Sequence, residues 1–273
     1  MSHIEFGQIG VIAGKEFRER MRNRWVLAVA VVFTVFALVI AYFGSAQQGA
    51  VGFRSIDVTI ASLVSLVIYL VPLIALILGY DAIVGERERG SLELLLSLPI
   101  TRLELLLGKF FGLAGALGLA TIAGFGLAGL LLVYQLGGEV LTYFGGFILS
   151  SVLLGLAFLS MAVMVSVLLP DRVRASGAAI ALWFFFVLIY DLLLLGILVV
   201  GEGQVGMDFF PVLLMLNPAD IFRILNLFGF AEVRELYGLA TVFPASLANP
   251  WWLGGAMVSW IIAPLAVATW RFK

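Results

Sequence analysis

The side chains able to do chemistry in this chain are few, and most of them stand together. Glu86, Arg87, Glu88, Arg89, Gly90, Ser91, Glu93, Pro99, Thr101, Arg102, Glu104 and Lys109 all fall within residues 80–109. Acids and bases alternate along this stretch. That reads as a docking surface for a partner rather than a spacer, the alternative being a solvated loop that only follows the positive-inside rule. Catalysis lacks its usual parts. There is no cysteine, which removes disulfides, thiolate metal sites and thiol nucleophiles together. The single histidine, His3, sits at the N-terminus, so no Ser-His-Asp set is available. The sequence Gly108-Lys109-Phe110 lacks both the upstream glycine and the hydroxyl residue of a phosphate loop, so ATP is not bound in that manner. Met161 and Met164 stand one helical turn apart, and thioethers hold Cu(I), but without histidine or cysteine they read as packing. No metal site and no directly bound cofactor is expected.

The surroundings of this charged island explain its weight. Only 12% of the 273 residues are charged and 63% are hydrophobic, where a soluble domain carries roughly a quarter charged residues. With a mean hydropathy of +1.14, the chain is an integral membrane protein. A hydrocarbon core about 30 Å thick needs roughly 20 apolar residues per helix. Six runs satisfy this: 25–43, 58–79, 110–134, 143–169, about 178–200, and 251–270. They are continuous rather than alternating, which excludes a transmembrane barrel. The first run is longer than the apolar core of a signal peptide, so it is read as a span. The expected fold is all-α, a polytopic bundle of six spans forming one transmembrane domain over 1–273.

Lysine and arginine orient the bundle. Residues 15–24 carry Lys15, Arg18, Arg20, Arg22 and Arg24; the island carries Arg87, Arg89, Arg102 and Lys109; the loop after the fourth span carries Arg172 and Arg174; the tail carries Arg271 and Lys273. The other side has Arg54, Arg223 and Arg234. Thirteen against three places the island and both termini in the cytoplasm. A net charge of −1 gives no reason to expect nucleic acid as a partner.

Ahead of the first span, Ile9, Ala13, Phe17, Met21 and Trp25 recur every fourth residue, with Lys15, Arg18 and Arg22 on the other face. This describes an amphipathic helix over 7–24 lying in the membrane interface. It is either a basic anchor or an elbow that passes motion to the first span. Within the island, Ser91 and the leucines after it form an amphipathic turn or two closed by Pro99. Thr101 followed by Glu104 forms a capping box that starts the next helix. The third span is lined with glycines, read as internal packing. Asp191 is an acid well inside the fifth span, a costly position that marks function by default. Its alternatives are protonation, or a bond to Tyr190 or to a serine on a neighbouring helix. Residues 201–250 hold apolar pieces too short to span, interrupted by Pro211, Asn217-Pro218 and Pro244. They are expected to form an extracytoplasmic re-entrant segment, with Trp251 and Trp252 returning at the interface.

Taken together, Glu86-x-Glu88-x-Gly90-Ser91-x-Glu93-x-Leu95-Leu96-x-Leu98-Pro99-Ile100-x-Arg102-x-Glu104…Gly108-Lys109 resembles the hallmark loop of ABC-2-type permeases, the membrane subunits of ABC exporters. The short chain and its outer stretch from Asn217 to Arg223 look like the permeases of nitrous oxide reductase maturation, a step of denitrification. The resemblance implies a homodimer working with two separate cytoplasmic ATPase subunits, which hold the ATP and magnesium. Residues 86–99 then supply the coupling contacts, Arg102, Glu104 and Lys109 anchor the inner gate, and Lys15, Phe17, Arg18, Met21 and Arg22 belong to the elbow. It also implies a β-helical periplasmic partner, docking at Asn217, Pro218, Asp220 and Arg223, and a role in copper–sulfur centre assembly. The chain itself is then not an enzyme. The scarcity of polar groups along the spans argues against copper passing through it. Two other readings stand beside this one: an ABC-2 exporter of a drug, lipid or polysaccharide, and a proton-coupled secondary transporter using Asp191. The second would bring inverted repeats, and none is evident.

Overall fold

A computed structural model describes residues 5–43, 56–138, 140–200, 210–227 and 249–272. His3, Arg54, Arg234, Lys273 and most of the stretch 201–250 lie outside the described residues. Every regular element among the described residues is helical. The reason is the solvent: in hydrocarbon each backbone N–H and C=O must find its partner within the segment.

In chain order the helices are α1 (Phe6–Arg22), α2 (Trp25–Phe43), α3 (Ile56–Gly79), α4 (Val84–Glu88), α5 (Ser91–Leu96), α6 (Arg102–Leu136), α7 (Val140–Leu168) and α8 (Arg172–Phe184). A single π-helical turn, Phe185–Ile189, joins α8 to α9 (Tyr190–Val200). Then follow α10 (Phe210–Met215), α11 (Pro218–Leu227) and α12 (Pro250–Arg271). Six helices are long and apolar enough to cross a membrane, so this is a multi-pass membrane protein: α2, α3 continuing through α4, α6, α7, α8 with α9, and α12. The second, third and fourth spans form the buried centre, and the fifth is the least buried.

Two spans begin earlier than the apolar runs. The third starts at Arg102 rather than 110, and the fifth at Arg172 rather than 178. Charge ends the hydrocarbon-buried part of a helix without ending the helix itself. The 35 residues of α6 reach about 52 Å, well beyond the hydrocarbon thickness, so its first turns stand outside. Their start is fixed by the capping box. Thr101 Oγ1 accepts from the Glu104 N–H at 3.2 Å, and a Glu104 carboxylate oxygen accepts from the Thr101 N–H at 2.6 Å.

The glycines of α6 seat its neighbours. A methyl group on Gly108 would lie 2.6 Å from Ile12, one on Gly112 2.7 Å from the Ala13 carbonyl oxygen, and one on Gly124 2.6 Å from Phe33. Small residues here let α1 and α2 lie directly on the third span, as their spacing implied. Beyond them, a run of rings crosses the core. Phe33 stacks on Phe125 at 4.8 Å, Phe125 meets Phe147 edge-on at 5.2 Å, and Phe147 reaches Phe222 of α11 at 6.1 Å.

Candidate functional site

The charged island folds into two short helices separated by a tight corner. Gly90 makes that corner with φ +71°, a left-handed conformation that glycine adopts without strain. The start of α4 is held by Ser166 of the fourth span, whose buried hydroxyl oxygen accepts from the N–H groups of Ile83 and Val84 at 2.9 and 3.0 Å. Without it, two buried donors at a helix N-terminus would lack partners.

The base of the island is turned into the protein. Lys109 is buried, and its Nζ donates to Glu86 Oε1 at 2.9 Å and to Glu16 Oε2 at 3.3 Å. Glu16 is buried as well and receives Arg20 Nη2 at 3.0 Å. Two acids and two bases therefore knot α1, α4 and α6 at one point. The Ser91 hydroxyl caps the other oxygen of Glu86. Arg87 donates to the carbonyl oxygens of Leu169 and Val167, at 2.8 and 3.2 Å, which α7 leaves open at its C-terminus. A Glu88 carboxylate oxygen accepts the Arg172 N–H at 2.7 Å, while the Arg172 guanidinium donates to Asp81 at 3.0 Å. A Glu104 carboxylate oxygen, besides capping α6, accepts the Glu5 N–H at 2.7 Å. Arg102 lies over the Phe272 ring at 5.6 Å.

Much of the island's charge is thus paired within the chain. Glu86, Arg87, Glu88, Ser91, Glu104 and Lys109 are committed to the chain's own helices, because charge next to the hydrocarbon must be paired where it is buried. Outward stand Glu88, exposed beside Arg172, and the tip: Arg89, Gly90, Glu93 and Pro99, with Leu94 72% and Leu98 54% exposed. Arg89 and Glu93 form no ion pair among the described residues.

On α1, Phe17 packs beside Gly115, while Lys15, Arg18 and Arg22 face outward. Met21 is exposed rather than packed on the bundle. The stripe against α6 instead continues from Ile9 and Ala13 to Glu16. That acid on an apolar stripe was legible in the sequence but not picked out, as were Asp81, Ser166 and Arg172.

At the opposite end of the bundle a second polar network joins α11 to the fifth span. Asn217 caps α11, its Oδ1 accepting from the Ala219 N–H at 3.0 Å. Its amide donates to the Phe186 carbonyl within the π-helical turn at 2.9 Å and to Asp220 at 2.9 Å. Arg223 bridges Asp220 at 2.5 Å and Asp191 at 2.8 Å. The Tyr190 hydroxyl donates to the Leu213 carbonyl at 2.6 Å. Burial pushes the Asp220 carboxyl up to about 7; Arg223 pulls against this and the nearby Asp191 adds to it. Asn217, Pro218 and Asp220, expected to meet an outside partner, are buried in the chain, leaving Arg223 only partly accessible. Asp191 is satisfied by Arg223, neither by Tyr190 nor by a serine. Sequence distance hid that pairing.

The described residues thus form an all-helical bundle with six candidate spans, a first helix packed on the third span and a charged helical loop knotted to it. Residues 11–273 match the ABC-2 family transporter proteins, and the chain belongs to that family of permeases. It is 46% identical over 271 residues to the probable ABC transporter permease protein NosY of Pseudomonas aeruginosa, covering 97% of this chain and 98% of the relative. It is 44% identical over 273 residues to the protein of the same name from Stutzerimonas stutzeri, again covering 97% and 98%.

Proposed function

We propose that this permease acts as a homodimer that receives the motion of two cytoplasmic, NosF-like ATPase subunits and passes it across the inner membrane to a periplasmic, NosD-like β-helical protein. It does so in support of copper–sulfur centre assembly in nitrous oxide reductase. The chain itself is non-catalytic: ATP and magnesium belong to the ATPase, and both termini lie in the cytoplasm. The likeness to the NosY permeases supports this choice of partners and task.

The observation that carries the mechanical part is the position of Lys109. A push on the exposed tip at Arg89, Glu93, Leu94 and Leu98 is borne by α4 and α5. From there it reaches α1 and the third span through one buried ammonium group that touches Glu86 and Glu16. Arg87, Glu88 and Arg172 carry the same push to the fourth and fifth spans. A loop so held moves with its helices instead of flexing alone.

The test is at the tip, where substitution leaves the buried knot untouched. Leu94→Asp with Arg89→Glu should abolish co-purification of the ATPase and maturation of nitrous oxide reductase while membrane insertion remains normal. If ATPase binding and maturation both stay at the unsubstituted level, this docking surface is wrong.

A further inference from the structure

Between the fourth and sixth spans, at the end away from the charged loop, the bundle holds a cavity of about 720 Å³. That lies within the range of roughly 300–1,000 Å³ typical of ligand sites. Its walls are the first turns of α7 and α12, backed by Ile60 of α3 and by Leu225 and Asn226 of α11. The space follows from the sequence. Gly146 on one wall and Gly254 and Gly255 on the other face it, and a methyl group on any of the three would meet nothing within 4 Å.

The chemistry of the lining narrows the occupant. No charged side chain among the described residues lines the cavity, so a metal ion, an oxyanion or a lipid phosphate gains nothing from them. The polar pair at its depth, Ser150 and Asn226, is engaged internally: Asn226 Nδ2 donates to Ser150 Oγ at 2.9 Å and to the Phe222 carbonyl at 2.8 Å. Hydrocarbon is the fitting content. The cavity opens between spanning helices, hence toward lipid. Its mouth is flanked by Tyr143 and Trp251, which are 52% and 88% exposed, with the exposed Trp252 next in the chain. Tyrosine and tryptophan stand at the headgroup level of a bilayer. A lipid with its headgroup at that belt would direct its tail between the glycine-lined walls. Leaving such a space empty forfeits the dispersion contacts of every wall atom.

We propose that this cavity is a lipid site that takes one acyl chain of a phospholipid from the leaflet opposite the charged loop. The wedge between the fourth and sixth spans is then part hydrocarbon, and the packing of α11 above it depends on that lipid.

The test uses the complete transporter in nanodiscs whose phosphatidylethanolamine carries a diazirine on one acyl chain. After irradiation, peptide mapping should find labelling of residues 142–153 and 250–258 several-fold above that of α2, which is also lipid-facing. Gly146→Leu with Gly254→Leu should remove this excess and leave the labelling of α2 unchanged. Ile60→Trp, filling the cavity from its back wall, should do the same if the leucine pair does not assemble. Even labelling over all spans in the unsubstituted protein would overturn the proposal, as would an excess that survives filling.

Discussion

Lys109 Nζ lies 2.9 Å from Glu86 Oε1, although 23 residues separate them and one stands on the short α4 while the other belongs to the long α6. Both side chains are largely removed from solvent, at 8% and 18% exposure, so the pair works in a medium where a lost partner is costly. Lys109→Met leaves Glu86 without its cation and Glu16 with Arg20 alone, a loss of about 3–5 kcal/mol. Adding Glu86→Gln to Lys109→Met should cost less than the two single changes added together. Denaturation of the detergent-solubilised protein in a double-mutant cycle measures this, and residues in such contact show coupling of about 0.5–3 kcal/mol.

At the other end of the bundle one guanidinium serves two acids, and this predicts an order of effects. Arg223→Gln takes the partner from both Asp220 and Asp191, and the buried Asp220, then protonated, loses a hydrogen bond at a cost of about 1–3 kcal/mol. Asp191→Asn keeps the Arg223–Asp220 pair and removes only a half-exposed contact, worth less than about 1 kcal/mol. Melting temperatures of the two variants should differ in that order.

The raised carboxyl of Asp220 gives a pH dependence whose sign can be stated. Its folded value of about 7 stands above the ordinary 3.8, so the folded protein holds the proton more tightly than the unfolded chain. The stability this contributes is complete below pH 3.8 and is lost as pH rises through 7. Asp220→Asn, which cannot ionise, lacks that loss. The melting temperature of the parent should therefore fall relative to Asp220→Asn between about pH 4 and pH 7.

Much of this architecture is written locally. Continuous apolar runs of 19 to 27 residues leave no alternative to spans, and the Thr101–Glu104 capping box, four residues long, forms as read. The glycine spacing of α6 also carried its meaning, since close approach needs only a missing side chain. The direction of each charge was not legible. Within Glu86-Arg87-Glu88-Arg89 the first two side chains turn inward and the last two stand exposed, a difference set by Lys109 and by the carbonyls of Val167 and Leu169. Asp191 found its partner 32 residues away on a helix whose placement no local pattern specifies. The π-helical turn before it breaks the 3.6-residue register and has no proline or glycine to announce it. Asn217 was noticed for its place in an Asn-Pro turn, a motif that serves an outward bend as readily as the buried bracket it makes here.

The chain's lack of native cysteine allows the most direct measurement of force transfer through Lys109. Spin labels placed at the exposed Tyr134 and Leu192, on the third and fifth spans, report the distance between two helices at the end remote from the loop. In the assembled transporter that distance should change when ATP is supplied. With Lys109→Met it should stay fixed while the ATPase still hydrolyses nucleotide, and Lys109→Arg should restore the movement. A Lys109→Met protein that moves its outer end as the parent does would show that the motion travels by another route.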